Sequence, residues 1–201
     1  YLHLSLRRQR QMCIRDRYTI LISRPQFRYS DHMKMAMIVA MDDERTIGKG
    51  NGLPWRLSCD MARFKRLTEG DGYNSVIMGR RTWDSLPDAF RPLPERTNIV
   101  LSRDTGWSAD GAETALYVGR AIELAFAEGS DECWIIGGSQ IYEMFLDRVS
   151  EIHVTEVHTS ESGDVKFPSW DKSDWRQEVV ERIEPDEGNE YASTYSVWTK
   201  S

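Results

Sequence analysis

Met35-Ala36-Met37-Ile38-Val39-Ala40-Met41 is an unbroken run of apolar residues. A strand with one exposed face alternates apolar and polar side chains, whereas a strand covered on both faces, as in a parallel sheet, is apolar throughout. We therefore interpret residues 35–41 as the first strand and the centre of the fold.

The chain that follows alternates strand-like and helical stretches. Apolar runs predict further buried strands at residues 75–78, 98–101 and 133–136, and helical patterns occur at residues 58–67, 80–83, 119–127 and 139–145. Residues 152–157 alternate as a strand with one covered face would, and residues 175–183 and 191–198 are typical of two antiparallel strands. This order predicts an α/β fold with a doubly wound, mostly parallel central sheet and an antiparallel C-terminal edge.

The first 32 residues differ in composition from the rest. They hold seven Arg and two Asp, a charge of +5, which leaves −11 for residues 33–201 of the overall −6. An Arg-rich segment without Glu suggests either an organelle transit peptide or sequence foreign to the natural product, and we favour the second. We expect residues 1–32 to be a non-native or disordered leader and residues 33–201 to form one domain.

Charge and cysteine content limit the partners and the compartment. The acidic body argues against a nucleic-acid partner, and the apolar runs are too short to span a membrane. Cys13, Cys59 and Cys133 match neither disulfide nor zinc spacing, which favours free thiols in a reducing compartment, with a reactive Cys59 as the alternative. We expect a cytoplasmic monomer.

One carboxylate falls where the pattern calls for an apolar side chain. In the helical stretch, Ser58 suits an N-cap, and Asp60 shares an arc with Leu57, Met61, Phe64 and Leu67, whereas Ala62, Arg63, Lys65 and Arg66 occupy the rest of the wheel. A carboxylate that faces an apolar wall needs a ligand, a buried cation or a raised pKa. The alternative is that Asp60 only complements the helix dipole.

Three strand-to-helix junctions carry small or basic residues, at 79–82, 101–103 and 137–140. The carboxyl ends of the strands face one crevice in such a sheet, and helix N-termini there can bind phosphate. Arg80, Arg81 and Arg103 would favour the 2′-phosphate of NADP over NAD, unless Arg80 and Arg81 are ordinary surface residues. The full glycine fingerprint of a Rossmann fold is missing.

Other catalytic signatures are missing from the sequence. It contains no nucleophile elbow, no His-Glu-x-x-His and no P-loop. His153 and His158 would point to opposite faces of a strand, so we expect surface histidines and no metal site. Residues 42–53 are polar and rich in glycine, which indicates a mobile loop over the site.

An ordered set of motifs carries a resemblance to a known family. The set comprises Ile47-Gly48, Leu53-Pro54-Trp55, Asp60 with Phe64-Lys65, Val76 to Trp83, Arg91-Pro92-Leu93-Pro94, Arg96 with Asn98 to Ser102, and Ile136 to Tyr142. From about Met35 to the C-terminus, the chain closely resembles bacterial dihydrofolate reductases. The resemblance implies a dihydrofolate-reductase-like fold and the reduction of 7,8-dihydrofolate to tetrahydrofolate by NADPH, with dihydrofolate and antifolates as ligands.

The resemblance also implies roles on the substrate side. Asp60 would bind the N3 and 2-amino edge of the pteridine, and Thr155 would support that contact directly or through water. Arg96 would bind the glutamate α-carboxylate. The apolar residues Ile38, Phe64, Leu86 and Leu93 would line the substrate.

On the cofactor side, the resemblance implies phosphate contacts from Arg80 and Thr82 and a 2′-phosphate region at Ser102 and Arg103. Residues 137–141, which are Gly137, Gly138, Ser139, Gln140 and Ile141, would lie along the pyrophosphate, and Ala40 and Ile47 along the nicotinamide. The further cofactor-binding residues would be Gly48, Leu53, Gly79, Arg81 and Leu101.

The implied reaction needs a hydride at C6 and a proton at N5. Tyr142 would lie near the hydride-transfer centre, Trp55 would hold a bridging water, and water would carry the proton. The loop at residues 42–53 would close over the nicotinamide. Two alternatives stay open: a related pyrimidine or pterin reductase of riboflavin-type metabolism, and a non-catalytic nucleotide- or folate-binding protein.

Overall fold

An eight-stranded sheet forms the centre of the protein. The structure is a computed structural model that describes residues 33–50 and 52–201, so the predictions for residues 1–32 and for Cys13 lie outside the described residues. The strands are β1 Lys34–Asp42, β2 Thr46–Gly48, β3 Ser75–Gly79, β4 Thr97–Leu101, β5 Ala112–Ala115, β6 Glu132–Gly137, β7 Glu151–Val157, β8 Val165–Lys166, β9 Trp175–Ile183 and β10 Ser193–Lys200. The helices are α1 Ser58–Glu69, α2 Arg80–Ser85, α3 Val118–Ala127 and α4 Ser139–Phe145, with a 3-10 turn at Asp88–Phe90.

The strand order across the sheet is β5-β4-β3-β6-β1-β7-β10-β9. The first six strands of this order, from β5 across to β7, are parallel to one another. β10 and β9 are antiparallel and lie at one edge. β1 lies between β6 and β7, which confirms the central position predicted from its apolar run. The predicted mostly parallel sheet with an antiparallel C-terminal edge is therefore confirmed.

The helices cover both faces of the sheet, as a doubly wound fold requires. Met35, Met37 and Val39 of β1 belong to one core cluster, together with apolar residues of α3 and α4. Ala36 and Ile38 belong to a second cluster on the opposite face, with Trp83 of α2 and, at its margin, Phe64 of α1. Because side chains alternate along a strand, one apolar run supplies both cores.

Three short strands were missed by the sequence analysis. β5 is an edge strand without an apolar run, and β2 and β8 form a two-stranded pair in which Thr46 opposes Lys166. Within residues 42–53, which were interpreted as a mobile loop, Thr46–Gly48 forms a strand that the sequence analysis did not predict. These strands are defined by long-range pairing, which leaves no periodic signal in so few residues.

The alternating pattern of β7 predicted one exposed face, but the structure covers both of its faces. It lies inside the sheet between β1 and β10, and both of its faces are covered. His153 is 7% exposed, so the prediction of a surface histidine is wrong for His153, whereas His158 is exposed as predicted. The His153 ring lies 2.7 Å from the Tyr195 hydroxyl and 3.1 Å from the Glu151 carboxylate, which satisfies both ring nitrogens.

None of the helices in the described ranges is long and apolar enough to cross a membrane. Within the same ranges, no cluster of three His, Cys, Asp or Glu side chains has the arrangement of a metal site. Cys59 is an exposed free thiol and Cys133 is a buried one.

Candidate active site

Asp60 projects from the first turn of α1 into a nearly closed environment. Its side chain is 15% exposed, and its Oδ1 accepts hydrogen bonds from the Thr155 hydroxyl at 2.6 Å and from Arg63 Nη1 at 3.3 Å. Burial raises the pKa of Asp60 above its ordinary value, while the Thr155 hydrogen bond and the Arg63 charge oppose that rise. The carboxylate therefore does more than complement the helix dipole.

The start of α1 is fixed by the connection between β9 and β10. Ser58 is not the N-cap, because the helix begins at Ser58 and Leu57 holds the cap position without a side-chain hydrogen bond. The backbone N–H of Ser58 instead donates to Gly188 O at 2.9 Å, and that of Cys59 donates to the buried Asn189 Oδ1 at 3.1 Å. A distant loop thus satisfies the helix N-terminus and sets the position of Asp60.

The two faces of α1 differ from the predicted wheel. Arg63, expected on the outer face, is 5% exposed, whereas Met61, expected in the apolar arc, is 52% exposed. The guanidinium of Arg63 lies over the Tyr195 ring, 4.1 Å from its centroid, and donates from Nη2 to Glu181 at 2.5 Å. These partners on β9 and β10 are what bury the cation.

The predicted apolar site residues pack in two clusters. Four of the residues predicted to contact substrate belong to the core cluster under α1 and α2, and they are Ile38, Phe64, Leu86 and Leu93. Trp55 packs in a separate small cluster with Ala40 at its margin. The Trp55 Nε1 is buried and has no protein acceptor among the described residues, so a water or ligand atom is required to satisfy it.

Arg96 is held at the C-terminal end of α1. The residue is 8% exposed, and its guanidinium donates from Nη1 to Thr68 Oγ1 at 2.7 Å and from Nε to Pro94 O at 2.9 Å. Burial lowers the pKa of Arg96, and the nearby Glu69 carboxylate opposes that effect. The positive charge is oriented by neutral oxygens, which leaves it available for an anion.

Tyr142 lies against the backbone of β1. Its hydroxyl donates to Ile38 O at 2.8 Å, and burial, with a smaller contribution from Asp60, raises the pKa of Tyr142. Gly137 has φ +98, and a Cβ there would stand 2.7 Å from the Tyr142 ring. Only glycine suits this position, because both the backbone conformation and the close approach exclude a side chain.

Three strand ends meet at the carboxyl edge of the sheet. β3 and β4 pair Gly79 with Leu101, and β3 and β6 pair Met78 with Gly137, so the three predicted cofactor junctions lie side by side. Gly138 approaches Thr82 Oγ1, which a Cβ on Gly138 would meet at 3.6 Å. In open α/β sheets, nucleotides bind at this edge, outside the carboxyl ends of the strands.

The basic residues at this edge are exposed. Arg80 pairs with Asp104 at 3.1 Å and with Asp84 at 3.6 Å, while Arg81 and Arg103 are exposed on the surface. Ser102 is buried, and its Oγ accepts from the backbone N–H of Asp104. Ser139 Oγ donates to Lys166 O at 2.6 Å, Ile141 is buried, and Gln140 is exposed.

The segment that follows β1 is tied to the loop before β8. The buried Asp42 carboxylate accepts from the backbone N–H groups of Glu44, Thr46 and Glu161, at 2.9, 2.6 and 3.0 Å. The predicted cofactor residues of this segment differ in burial: Ile47 and Gly48 are buried, Ala40 is half-buried and Leu53 is 53% exposed.

Sequence reasoning missed several residues of the site. Thr68, which orients Arg96, and Glu181 and Tyr195, which bury Arg63, gave no signal, because their contacts join distant parts of the chain. Arg63 had one usable signal, since it follows Asp60 at the i,i+3 spacing of helical ion pairs.

The fold and the site together define an α/β protein of the nucleotide-binding type that carries one largely buried carboxylate on α1. A sequence profile of dihydrofolate reductase matches residues 34–200. The chain therefore belongs to the dihydrofolate reductase family. Family membership decides against the riboflavin-type reductase and the non-catalytic binding protein.

Individual relatives give the same result. The chain is 42% identical over 161 residues to a Neisseria meningitidis dihydrofolate reductase, covering 80% of this chain and 95% of the relative. It is 43% identical over 150 residues to that of Mycobacterium tuberculosis, covering 73% and 87%. A solved dihydrofolate reductase from Enterococcus faecalis, complexed with NADP(H) and RAB-propyl, matches with a TM-score of 0.75 and 31% identity, covering 84% of this chain and 96% of that one.

Proposed function

We propose that this chain reduces 7,8-dihydrofolate to 5,6,7,8-tetrahydrofolate with NADPH at the site around Asp60. The observation that carries the proposal is the largely buried Asp60 carboxylate, bonded to Thr155 at 2.6 Å and carried on the same helix as Phe64, which packs against the apolar cluster of Ile38 and Leu93. A carboxylate in that setting accepts two parallel N–H bonds from a flat ring whose edge carries N3 and a 2-amino group.

The carboxyl edge of the sheet fits a dinucleotide. Gly137 allows the backbone to pass close to Tyr142, the ends of β3, β4 and β6 lie in register, and Arg80, Arg81 and Arg103 provide cations beside the Ser102 hydroxyl. These residues would hold the phosphates, and the half-buried Ala40 and the buried Ile47 would hold the nicotinamide end. NADPH supplies the hydride when it is bound.

The residues of the chain bind and orient the substrate ring. Asp60 fixes the ring edge, and its negative charge, at a site with little water, favours the form of the ring that is protonated at N5. Trp55 Nε1, which lacks a protein acceptor, would donate to a water that bridges to the ring. Tyr142 stays protonated because its pKa is raised, and it holds the β1 backbone beside the ring.

Arg96 would bind the glutamate tail of the substrate. Its guanidinium is oriented by Thr68 and Pro94, and the buried Leu93 precedes Arg96 by three residues. An anion at this end of α1 and a flat ring at Asp60 would place the substrate along the helix.

The experiment is NADPH oxidation in the presence of dihydrofolate, followed by the loss of absorbance of the reduced nicotinamide. Asp60→Asn should lower turnover on the order of 100-fold or more, because the charge that favours the protonated ring is removed. NADPH binding, measured by fluorescence titration, should stay within about twofold. Unchanged turnover in Asp60→Asn, or no turnover in the folded, unaltered protein, would contradict the proposal.

We further propose that the enzyme acts as a cytoplasmic monomer, that antifolates compete with dihydrofolate, and that residues 33–201 are the catalytic unit. The support for the unit is that the family profile begins at residue 34 and that Met33 is 2% exposed in the core. Mass measurement in solution tests the monomer, and competition by folate analogues tests the shared site.

A further inference from the structure

Arg63 is a buried cation next to the proposed ring-binding carboxylate. It is 5% exposed, and its Nη1 lies 3.3 Å from Asp60 Oδ1 and 3.4 Å from Thr155 Oγ1. Its Nη2 lies 2.5 Å from Glu181 Oε2, and its Cζ lies 4.1 Å from the centre of the Tyr195 ring. One guanidinium therefore joins α1 to β7, β9 and β10.

These contacts restrict how the guanidinium can lie. Glu181 on the edge strand β9 is 53% exposed and holds one nitrogen, while the Tyr195 ring covers one face of the planar group. The other nitrogen is directed to Asp60 as a result. Both Arg63 and Thr155 bond to Oδ1 of Asp60, so neither of them engages Oδ2.

We propose that Arg63 is a positioning residue of the active site, which holds Asp60 Oδ1 against Thr155 and supplies the countercharge of this carboxylate before substrate binds. The inference rests on the proposed role of Asp60. Because the guanidinium of Arg63 is occupied by Asp60, Glu181 and the Tyr195 ring, it is not assigned a contact with substrate, cofactor or the reacting atoms.

The charged surroundings of Asp60 support this role. Burial raises the pKa of Asp60, and the Thr155 and Arg63 contacts limit the rise. The other groups nearby are the phenols of Tyr142 and Tyr195, whose pKa values are raised by burial so that both stay neutral, and Glu181, which faces Arg63. Arg66 lies on the same helix and acts on Tyr195. Arg63 is therefore the cation in contact with Asp60 in the described part of the chain.

The same positive charge has an opposite effect on the substrate ring. A cation in contact with Asp60 partly cancels the negative charge that favours protonation at N5. Removing Arg63 should therefore move both limbs of the pH profile upward, because Asp60 ionises at higher pH and the ring keeps its proton to higher pH.

The first experiment measures Asp60 without turnover. The titration of the Asp60 carboxyl is followed by NMR in the ligand-free protein with isotope-labelled aspartate, and Asp60→Asn identifies the signal. In Arg63→Gln the midpoint should move to higher pH, and in Arg63→Lys, which keeps the charge, most of the shift should disappear. Arg66→Gln removes one exposed cation from the same helix and should leave the midpoint unchanged.

The second experiment measures kcat/KM for dihydrofolate across pH in the same variants. At about pH 5, Arg63→Gln should be roughly tenfold less active than the unaltered protein, and at about pH 8.5 it should be as active or more active. KM for NADPH should not change. Thermal unfolding and circular dichroism verify that each variant is folded.

Two results would overturn the inference. An Asp60 titration in folded Arg63→Gln that matches the unaltered protein would show that Arg63 does not act on Asp60. A loss of kcat/KM by the same factor at every pH would show a structural role only. Failure of the proposed function is recognised separately, because the unaltered protein would then show no turnover, or Asp60→Asn would keep it, while the NMR titration still reported the contact with Arg63.

Discussion

The largely buried carboxylate of Asp60, which we propose binds the substrate ring, lowers the stability of the ligand-free fold at neutral pH. Its pKa is raised above the ordinary value of 3.8, mainly by burial, so the folded protein holds its proton more tightly than the unfolded chain does. The resulting stability is present below the unfolded pKa and is lost as the pH rises through the folded pKa. At neutral pH the ionised group therefore destabilises the ligand-free fold.

Asp60→Asn should consequently be more thermally stable than the unaltered protein at neutral pH, although it has lost turnover. The difference in Tm between Asp60→Asn and the unaltered protein should increase as the pH rises from about 4 to about 7. It should nearly vanish at the acid end of this range, where Asp60 is protonated. Differential scanning calorimetry across this range measures it. Asp71→Asn, at an exposed carboxylate, is the matched control and should show no such increase.

Gly137→Ala tests the close approach between the end of β6 and Tyr142. An added Cβ would stand 2.7 Å from the ring in a backbone with φ +98, so we expect a loss of about 1–3 kcal/mol in the free energy of unfolding. KM for NADPH should rise more than KM for dihydrofolate. Gly119→Ala, in α3 with its nearest neighbour at 3.4 Å, should instead be neutral or stabilising by up to about 1 kcal/mol. Equal effects of the two changes would contradict this account.

At this scale the sequence revealed Asp60 but not the burial of Arg63. A carboxylate inside an apolar arc is visible from one helix alone. Arg63 falls on the polar side of the same wheel, and it is buried by Glu181 and Tyr195, more than a hundred residues further along the chain. No local pattern contains that contact.

At the level of the elements, the Asp42 carboxylate holds the backbone of the segment from Asp42 to Gly48 in place through hydrogen bonds. Asp42 accepts three backbone N–H bonds, two from its own segment and one from Glu161 before β8. Asp42→Ala removes the acceptor from partly or fully buried donors, so we expect a loss of about 3 kcal/mol in the free energy of unfolding. Denaturant titration measures it, and hydrogen exchange should become faster at Thr46.

Asp43→Ala is the matched control for that change. Asp43 is adjacent in sequence and exposed, so the expected change in the free energy of unfolding is within about 0.5 kcal/mol. If Asp42→Ala behaved like Asp43→Ala, the carboxylate would not be what holds β2 against β8.

Apolar runs predicted the strands that are buried on both faces, and the exposed edge strand β9 was predicted as one of two antiparallel strands. The central strands β1, β3, β4 and β6 carry apolar runs because helices cover both faces of the sheet. β7 shows the limit of this reasoning, because His153 and Thr155 gave it an alternating pattern although it is interior. Its polar side chains are satisfied by Tyr195, Asp60 and neighbouring groups, which the local pattern cannot show.

For the whole molecule, the start of β1 is fixed to its two neighbouring strands by charged and apolar contacts. Lys34 Nζ lies 2.8 Å from Glu151 and 3.3 Å from Glu132, which joins β1 to β7 and β6, and Met33 is 2% exposed. These contacts raise the pKa of Lys34 despite its partial burial. The boundary of the catalytic unit should therefore be sharp at Met33.

A chain of residues 33–201 should keep kcat/KM for dihydrofolate within about twofold of the full sequence, because the strands and site residues described here contact one another within this range. A chain that starts at Met35 is the control, since it lacks the buried Met33 and the Lys34 ion pairs. It should lose about 2–4 kcal/mol in the free energy of unfolding, mostly through the lost methionine. Steady-state kinetics and denaturant unfolding on the two chains locate the N-terminal boundary of the catalytic unit. Inactivity of the 33–201 chain would place part of the active site before Met33, and equal stability of both chains would move the boundary to Met35.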